Sequence, residues 1–184
     1  MRKLVSYMFT SLDGFIADRD GGLDWVPIDD ELMRFANEYF GAADGIVFGR
    51  KVYEGFVDYW DRLDPTDASV TPLEVEFAEI FRDMTRIVVS KTLDEVDGEA
   101  VLIKDEVAQA IADLKLQPGR DLLLICGPEL RSTLTRHGLV DRHRVLVAPV
   151  VLGNGQPLFG DIEEPLGLKL AETRVFDGGV VMLD

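Results

Sequence analysis

The stretch Ile46-Val47-Phe48-Gly49-Arg50-Lys51-Val52-Tyr53 changes character at Gly49. The apolar residues before it read as a buried strand, and those after it carry helical spacing. A strand that runs through glycine into a helix leaves free N–H groups and a partial positive charge at the junction, which suits an anionic phosphate. Glycine lets a phosphate approach the backbone, and Arg50 offers a planar two-pronged grip that Lys51 cannot match. The same residues also fit a plain turn glycine followed by two solvated cations. The junction therefore takes its meaning from the rest of the chain.

Working outward, Leu4 to Phe9, Gly45 to Phe48, Arg86 to Val89, Asp121 to Ile125 and Arg144 to Val151 are short, mostly Val/Ile/Leu-rich runs that read as strands. Between them, Asp30 to Phe40, Lys51 to Trp60, Leu73 to Phe81, Val107 to Leu116 and Glu129 to His137 have helical spacing. The alternation predicts an α/β fold, a mostly parallel central sheet with helices on both faces and ligands at the carboxyl ends of its strands. At the end of the chain, Leu168 to Phe176 and Val180 to Leu183 flank Asp177-Gly178-Gly179, a tight-turn signal that predicts a C-terminal antiparallel hairpin. No repeat or linker interrupts residues 1–184, so a single domain is expected.

Composition narrows the partners. Thirty-four acids against nineteen bases give a formal charge of −15, a field that repels nucleic-acid phosphates. An anionic cofactor then needs its own local donors. No apolar stretch is long enough to span a bilayer, and the opening Met1 to Phe9 lacks a signal-peptide cleavage pattern and reads as a first strand. Cys126 is the one cysteine, which suits a reducing, cytoplasmic setting. With two histidines besides, a metal site is not expected.

The plan of Gly49 recurs in Leu122-Leu123-Leu124-Ile125-Cys126-Gly127-Pro128-Glu129-Leu130, a buried strand, a glycine, and a helix with proline in its first turn. Val88-Val89-Ser90-Lys91-Thr92 is a third strand end, carrying hydroxyls and an ammonium suited to a ribose or its phosphate. Thr10-Ser11-Leu12-Asp13-Gly14-Phe15-Ile16-Ala17, Gly49-Arg50-Lys51-Val52-Tyr53-Glu54, Gly138-Leu139-Val140-Asp141 and Val147-Ala148-Pro149-Val150-Val151-Leu152-Gly153-Asn154-Gly155 complete an ordered set.

Together these motifs resemble the dihydrofolate reductase superfamily. Within it they are most similar to the reductase domain of the bacterial riboflavin-biosynthesis deaminase-reductase and its stand-alone relatives, over nearly the whole chain. The resemblance implies the three-layer fold of that superfamily and an NADPH site. Ile16 and Ala17 would lie near the nicotinamide, Gly49, Arg50, Lys51 and Val52 at phosphates, and Ser90, Lys91 and Thr92 at the adenosine ribose phosphate. Cys126, Gly127, Pro128, Glu129 and Leu130 would cradle the pyrophosphate, with Gly153 and Gly155 shaping a nearby loop. The chain departs from the pattern in two places. Cys126-Gly127 stands where dihydrofolate reductases carry Gly-Gly, often joined by a cis peptide. Phe56 stands where the riboflavin reductases carry an aspartate.

Dihydrofolate reductases also place a buried acid early on the helix after a tryptophan, and here Trp25 precedes Asp29-Asp30-Glu31. A carboxyl in an apolar pocket rises in pKa and can relay a proton while hydride arrives from a nicotinamide, so Asp30 and Glu31 are the candidate acids. Acids at a helix start also serve as caps and dipole partners. Asp13, in an Asp-Gly pair, reads first as a turn former. His137 before Gly138 marks a helix end, Cys126 reads as a small core residue, and Trp60 as packing. The leading expectation is an NADPH-dependent reductase of a small heterocyclic, carbonyl or imine substrate, pterin-like or ribosylamino-pyrimidine-like, acting as a homodimer. The alternatives are a nucleotide-binding protein without turnover and a flavin-binding, flavodoxin-like protein.

Overall fold

In the computed structural model, which describes residues 1–184, the predicted alternation becomes a single sheet with helices on both faces. In chain order the strands are β1 (Leu4–Thr10), β2 (Phe15–Ala17), β3 (Gly45–Gly49), β4 (Thr85–Val89), β5 (Val101–Ile103), β6 (Leu122–Ile125), β7 (Arg142–Val147), β8 (Gln156–Pro157), β9 (Thr173–Val175) and β10 (Val181–Leu183). The helices are α1 (Asp30–Gly41), α2 (Arg50–Phe56), α3 (Pro72–Asp83), α4 (Val107–Leu116) and α5 (Pro128–Arg136). Eight strands form the sheet in the order β5-β4-β3-β6-β1-β7-β10-β9, and β2 pairs separately with β8. From β5 to β7 every pairing is parallel, whereas β10 runs antiparallel to both β7 and β9.

The central strands are buried on both faces, so they lack a polar side. In β3, Ile46 and Phe48 enter one core with Leu32 and Phe40 of α1, Tyr53 of α2, and Phe77 and Phe81 of α3. Val47, pointing the other way, enters a second core with Ile111 of α4 and Leu134 of α5. Burying a side chain such as Phe48 or Phe81, both fully enclosed, stabilises the fold by about 2 kcal/mol each.

Three sequence expectations shift. The run predicted to 151 ends as a strand at Val147, because the chain turns at Pro149: the Val150 N–H bonds back to Ala148, and the Val150 carbonyl accepts from Leu12. The hairpin forms, with shorter strands than predicted and Gly179 at φ +82° in its turn. The helix from Lys51 ends at Phe56 and passes into a π-helical turn, Val57–Asp61. β2, β5 and β8 were not anticipated, being two or three residues long, too short for a periodicity to show. β1 lies between β6 and β7, whereas a flavodoxin-like sheet puts its first strand between the second and third, so the flavodoxin-like alternative does not hold for the fold.

The amino ends of the strands are tied by paired charges. Asp44 takes Arg2 at 3.2 Å and Arg120 at 2.7 Å. Asp141, the last residue of Gly138-Leu139-Val140-Asp141, accepts from the Leu4 N–H at 2.7 Å and pairs with buried Lys115 at 2.6 Å. Asp184, almost wholly buried, receives Nε of both Arg142 and Arg144 at 2.6 Å.

Candidate active site

At the carboxyl ends of the strands, helices begin in two ways. α1 and α3 close their own first turns: Asp29 accepts from the Leu32 N–H at 2.8 Å, and Thr71 and Glu74 form a reciprocal capping box. α2 and α5 start at Gly49 and Gly127 with no side-chain cap, so their first N–H groups stay available. β3 and β6 are neighbours, which puts the two junctions side by side. A Cβ built on Gly49 would lie 3.5 Å from the Cys126 Cβ and 3.8 Å from the Gly127 nitrogen. A Cβ on Gly127 would meet nothing within 4 Å, so open space faces that glycine. The Cys126-Gly127 peptide is trans.

Cations gather at the same rim. Arg50 is exposed and makes one loose contact, 3.5 Å to Glu54 one turn along. Lys51 and Lys91 are exposed and make no ion pair. Ser90 is buried, and its hydroxyl accepts from the N–H groups of Thr92 and Leu93 at 3.2 and 3.1 Å, turning the chain so that Lys91 and Thr92 face solvent. The side chains of Val52 and Leu130 pack into the two cores. Pro128 is half-buried and Glu129 exposed at the start of α5.

The Thr10–Ala17 segment forms an arm over these ends. Ser11 donates to Asp13 at 2.6 Å and accepts from the Phe15 N–H at 2.9 Å. Asp13 then receives the N–H groups of Leu152 and Gly153, at 3.1 and 2.8 Å, which fastens the arm to the loop after β7. The Ser11 hydroxyl and these N–H groups hold the Asp13 carboxyl below its usual range. Ile16 and Ala17 are buried in β2, against β8. Gly155 sits at φ +148°, and a Cβ there would overlap the Ala17 carbonyl oxygen.

The two candidate acids stand apart from the glycine junctions in their bonding. Asp30 is exposed and pairs with Arg34 at 3.2 Å. Glu31 accepts from the Asp177 N–H and from Arg174, each at 2.7 Å, joining α1 to the C-terminal hairpin. First that N–H and then the guanidinium hold the Glu31 carboxyl below its ordinary range, the opposite of the rise expected of a buried proton donor. The sequence did not point to Arg131. It is fully buried beneath the β6–α5 junction, and it donates to the Ser6 hydroxyl and the carbonyls of Leu158 and Cys126. A lone arginine in a helix carries no sequence signal of its burial. Burial pushes the Cys126 thiol up to about 11, so it rests protonated in the core. Phe56 packs 5.3 Å from Phe48 and 5.7 Å from Phe81, ring centre to ring centre, and no acid replaces it there.

Comparison with known proteins agrees with this geometry. The chain is 34% identical to the uncharacterized protein YyaP of Bacillus subtilis (strain 168), over 99% of this chain and 93% of that one. Among solved structures, a protein of Shewanella sp. PV-4 superposes with a TM-score of 0.73 at 24% identity, covering 98% of this chain and 96% of that one. Dihydrofolate reductase of Enterococcus faecalis, solved as a complex with NADP(H), superposes at 0.62 with 15% identity, over 98% and 95%. These likenesses show a dihydrofolate reductase-like fold. The RibD C-terminal domain family matches residues 2–182, which take in the sheet's glycine junctions, the arm and the rim, and the chain belongs to that family.

Proposed function

We propose that this protein is an NADPH-dependent oxidoreductase that reduces a small heterocyclic, carbonyl or imine substrate. The observation that carries the reading is the pair of uncapped glycine junctions on adjacent strands, Gly49 and Gly127, with open space before Gly127 and unpaired cations at the rim. A dinucleotide fits such residues: free N–H groups for a diphosphate, and Arg50, Lys51 and Lys91 for a further phosphate. Membership of the RibD C-terminal domain family supports it.

NADPH, when bound, supplies the hydride. This chain's own residues bind and orient. Ile16 and Ala17 offer a buried apolar wall for the reacting ring, held in place by the Asp13 clamp and by Gly155. Ser90 fixes the turn that presents Lys91. Most of the rate then comes from positioning. For the proton that must accompany the hydride, Asp30 and Glu31 remain the candidates, and Glu31 can deliver one only after its two bonds loosen. That bonding favours a second reading, a nucleotide-binding protein that holds NADPH without turnover.

The chain has no helix long and apolar enough to cross a membrane. We place it in the cytoplasm as a homodimer without a nucleic-acid partner. The acid excess and the exposed Leu166, Leu168, Leu170 and Val175 beside edge strand β9 support this. Light scattering that gives one chain's mass would remove the dimer. Titrating the purified protein with NADPH and with NADH, followed by nicotinamide emission and tryptophan quenching, tests the cofactor. Tight binding selective for NADPH is expected, and binding of neither would overturn the reductase reading.

A further inference from the structure

β9 is the last strand of the sheet, paired with β10 on one side only. Glu172 and Phe176 spend their backbone groups on that side: the Asp184 N–H donates to the Glu172 carbonyl, and the Phe176 N–H to the Val180 carbonyl. In an antiparallel ladder the bonding direction alternates, so the N–H and C=O of Thr173 and Val175 point outward, unpaired. The chain that leads into β9 is just as open. Residues 162–170 make no backbone hydrogen bond within the chain, and residues 163–172 are all exposed. Leu166, Leu168 and Leu170 alternate along it, 50%, 70% and 62% exposed, the pattern of a strand without a partner. Such an edge invites pairing unless something blunts it.

The opposite edge of the sheet, β5, is blunted by charge. Asp97 and Glu99 precede it and Asp105 and Glu106 follow it, so a second β5 laid antiparallel about Leu102 would set Glu99 against Asp105. β9 has the reverse design. Two copies of a strand related by a two-fold axis run antiparallel, and residues facing each other lie on the same side of the sheet. With the axis at Thr173, Thr173 faces its own copy, Glu172 faces Arg174, Ala171 faces Val175, Leu170 faces Phe176, and Lys169 faces Asp177. Between Leu168 and Gly178 those are all the charged residues, and no other register sets opposite charges across from each other. The charges are free to meet. Lys169 and Asp177 are exposed and make no ion pair within the chain, Glu172 reaches Arg144 only at 3.7 Å, and Arg174 gives Glu31 one nitrogen, Nη2. A stable interface takes about 800 Å² from each chain, more than a three-residue strand offers, and the exposed leucines and Val175 extend the apolar surface along the same line.

We propose that the edge formed by Leu166–Asp177 is the surface on which a second copy of this chain docks, β9 against β9 about a two-fold axis at Thr173, joining the two sheets into one. Backbone bonds run between the two Thr173 residues and from each Val175 N–H to the Ala171 carbonyl of the partner subunit. The Glu172–Arg174 and Lys169–Asp177 pairs, each formed twice, fix the register. The inference rests on the homodimer reading and adds to it which surface pairs and how.

The test measures the dimer dissociation constant of the full chain by sedimentation, in wild type and in the K169E, D177K, K169E/D177K and T173P variants, with a melting curve of each. K169E sets two acids against each other across the axis and D177K sets two lysines, so each is expected to weaken the dimer about tenfold. D177K is the telling single variant, because it lowers the net negative charge and would tighten the dimer if overall repulsion governed association. The double variant restores opposite charges in reversed order and should return to within about threefold of wild type. A mixture of K169E and D177K should form mixed dimers in preference to either pure one, because only the mixed pair sets opposite charges together at both positions. T173P removes the outward N–H at the axis and should weaken the dimer about a hundredfold; if it does not fold, the charge variants decide alone. Single variants that dimerise like wild type, a double variant no better than the singles, or no preference for mixed dimers would each overturn this interface while leaving the homodimer standing. A wild type that stays monomeric up to the highest concentration reached would overturn both.

Discussion

The two ends of the central sheet use charge in opposite ways. At the amino ends, acids and bases are matched: Asp44 with Arg2 and Arg120, Asp141 with Lys115, and Asp184 with Arg142 and Arg144. At the carboxyl ends, α2 and α5 begin without caps, Lys51 and Lys91 stand unpaired, and Arg131 is buried among neutral oxygens. One end closes its electrostatics within the chain, and the other leaves cations and helix-start N–H groups without partners in it. The motif Gly138-Leu139-Val140-Asp141, part of the family pattern, belongs to the first end, so its role is to hold the fold.

The largest effect should come from breaking the closed end. D141A strands buried Lys115 and removes the acceptor of the Leu4 N–H, and should cost about 3 kcal/mol in urea unfolding while the folded fraction keeps its NADPH affinity. A loss of affinity with unchanged stability would erase the distinction between the ends. Next, G155A forces a side chain into a left-handed conformation and against the Ala17 carbonyl; it should cost about 2 kcal/mol and weaken NADPH as well, since the arm must move. Melting curves paired with the fluorescence titration check both halves. R50A, at the open end, should leave stability nearly unchanged and weaken NADPH about tenfold, with NADH much less affected. Equal losses for both would shift the role to Lys91.

The smallest effect concerns Glu31, which bridges α1 and the hairpin at the open end. Its folded-state pKa lies below the unfolded one, so its contribution is present above the ordinary carboxylate range and is lost as pH falls through the folded value. E31Q should therefore have a slightly lower urea midpoint than wild type at pH 7, with the difference vanishing in acid. A gap that persists at low pH would mean that its hydrogen bonds matter and its charge does not.

Much of this was legible in the residues. Val47 and Phe48 announce a strand buried on both faces, and Gly49 and Gly127 mark where strands give way to helices, because glycine and proline act locally and need no tertiary context. Val107–Leu116 matches its predicted helix at both ends. What stayed hidden depends on distance. The fastening of Asp13 to Gly153 spans most of the chain, as does that of Glu31 to Arg174, and no spacing rule connects them. Arg131 is the sharpest case: its sequence neighbours suggest an ordinary helix surface, and only the fold, by laying Ser6 and Leu158 over it, makes it interior.

Cys126 turns that interior into a clock. It is the one thiol in the chain, it has no exposed surface, and its sulfur rests protonated directly beneath the β6–α5 junction. A thiol reagent can reach it only while the junction is transiently open, so the rate of labelling reads the frequency of that opening, free of signals from other cysteines. Any molecule that stations itself across Gly49 and Gly127 slows the clock, whatever chemistry it goes on to perform.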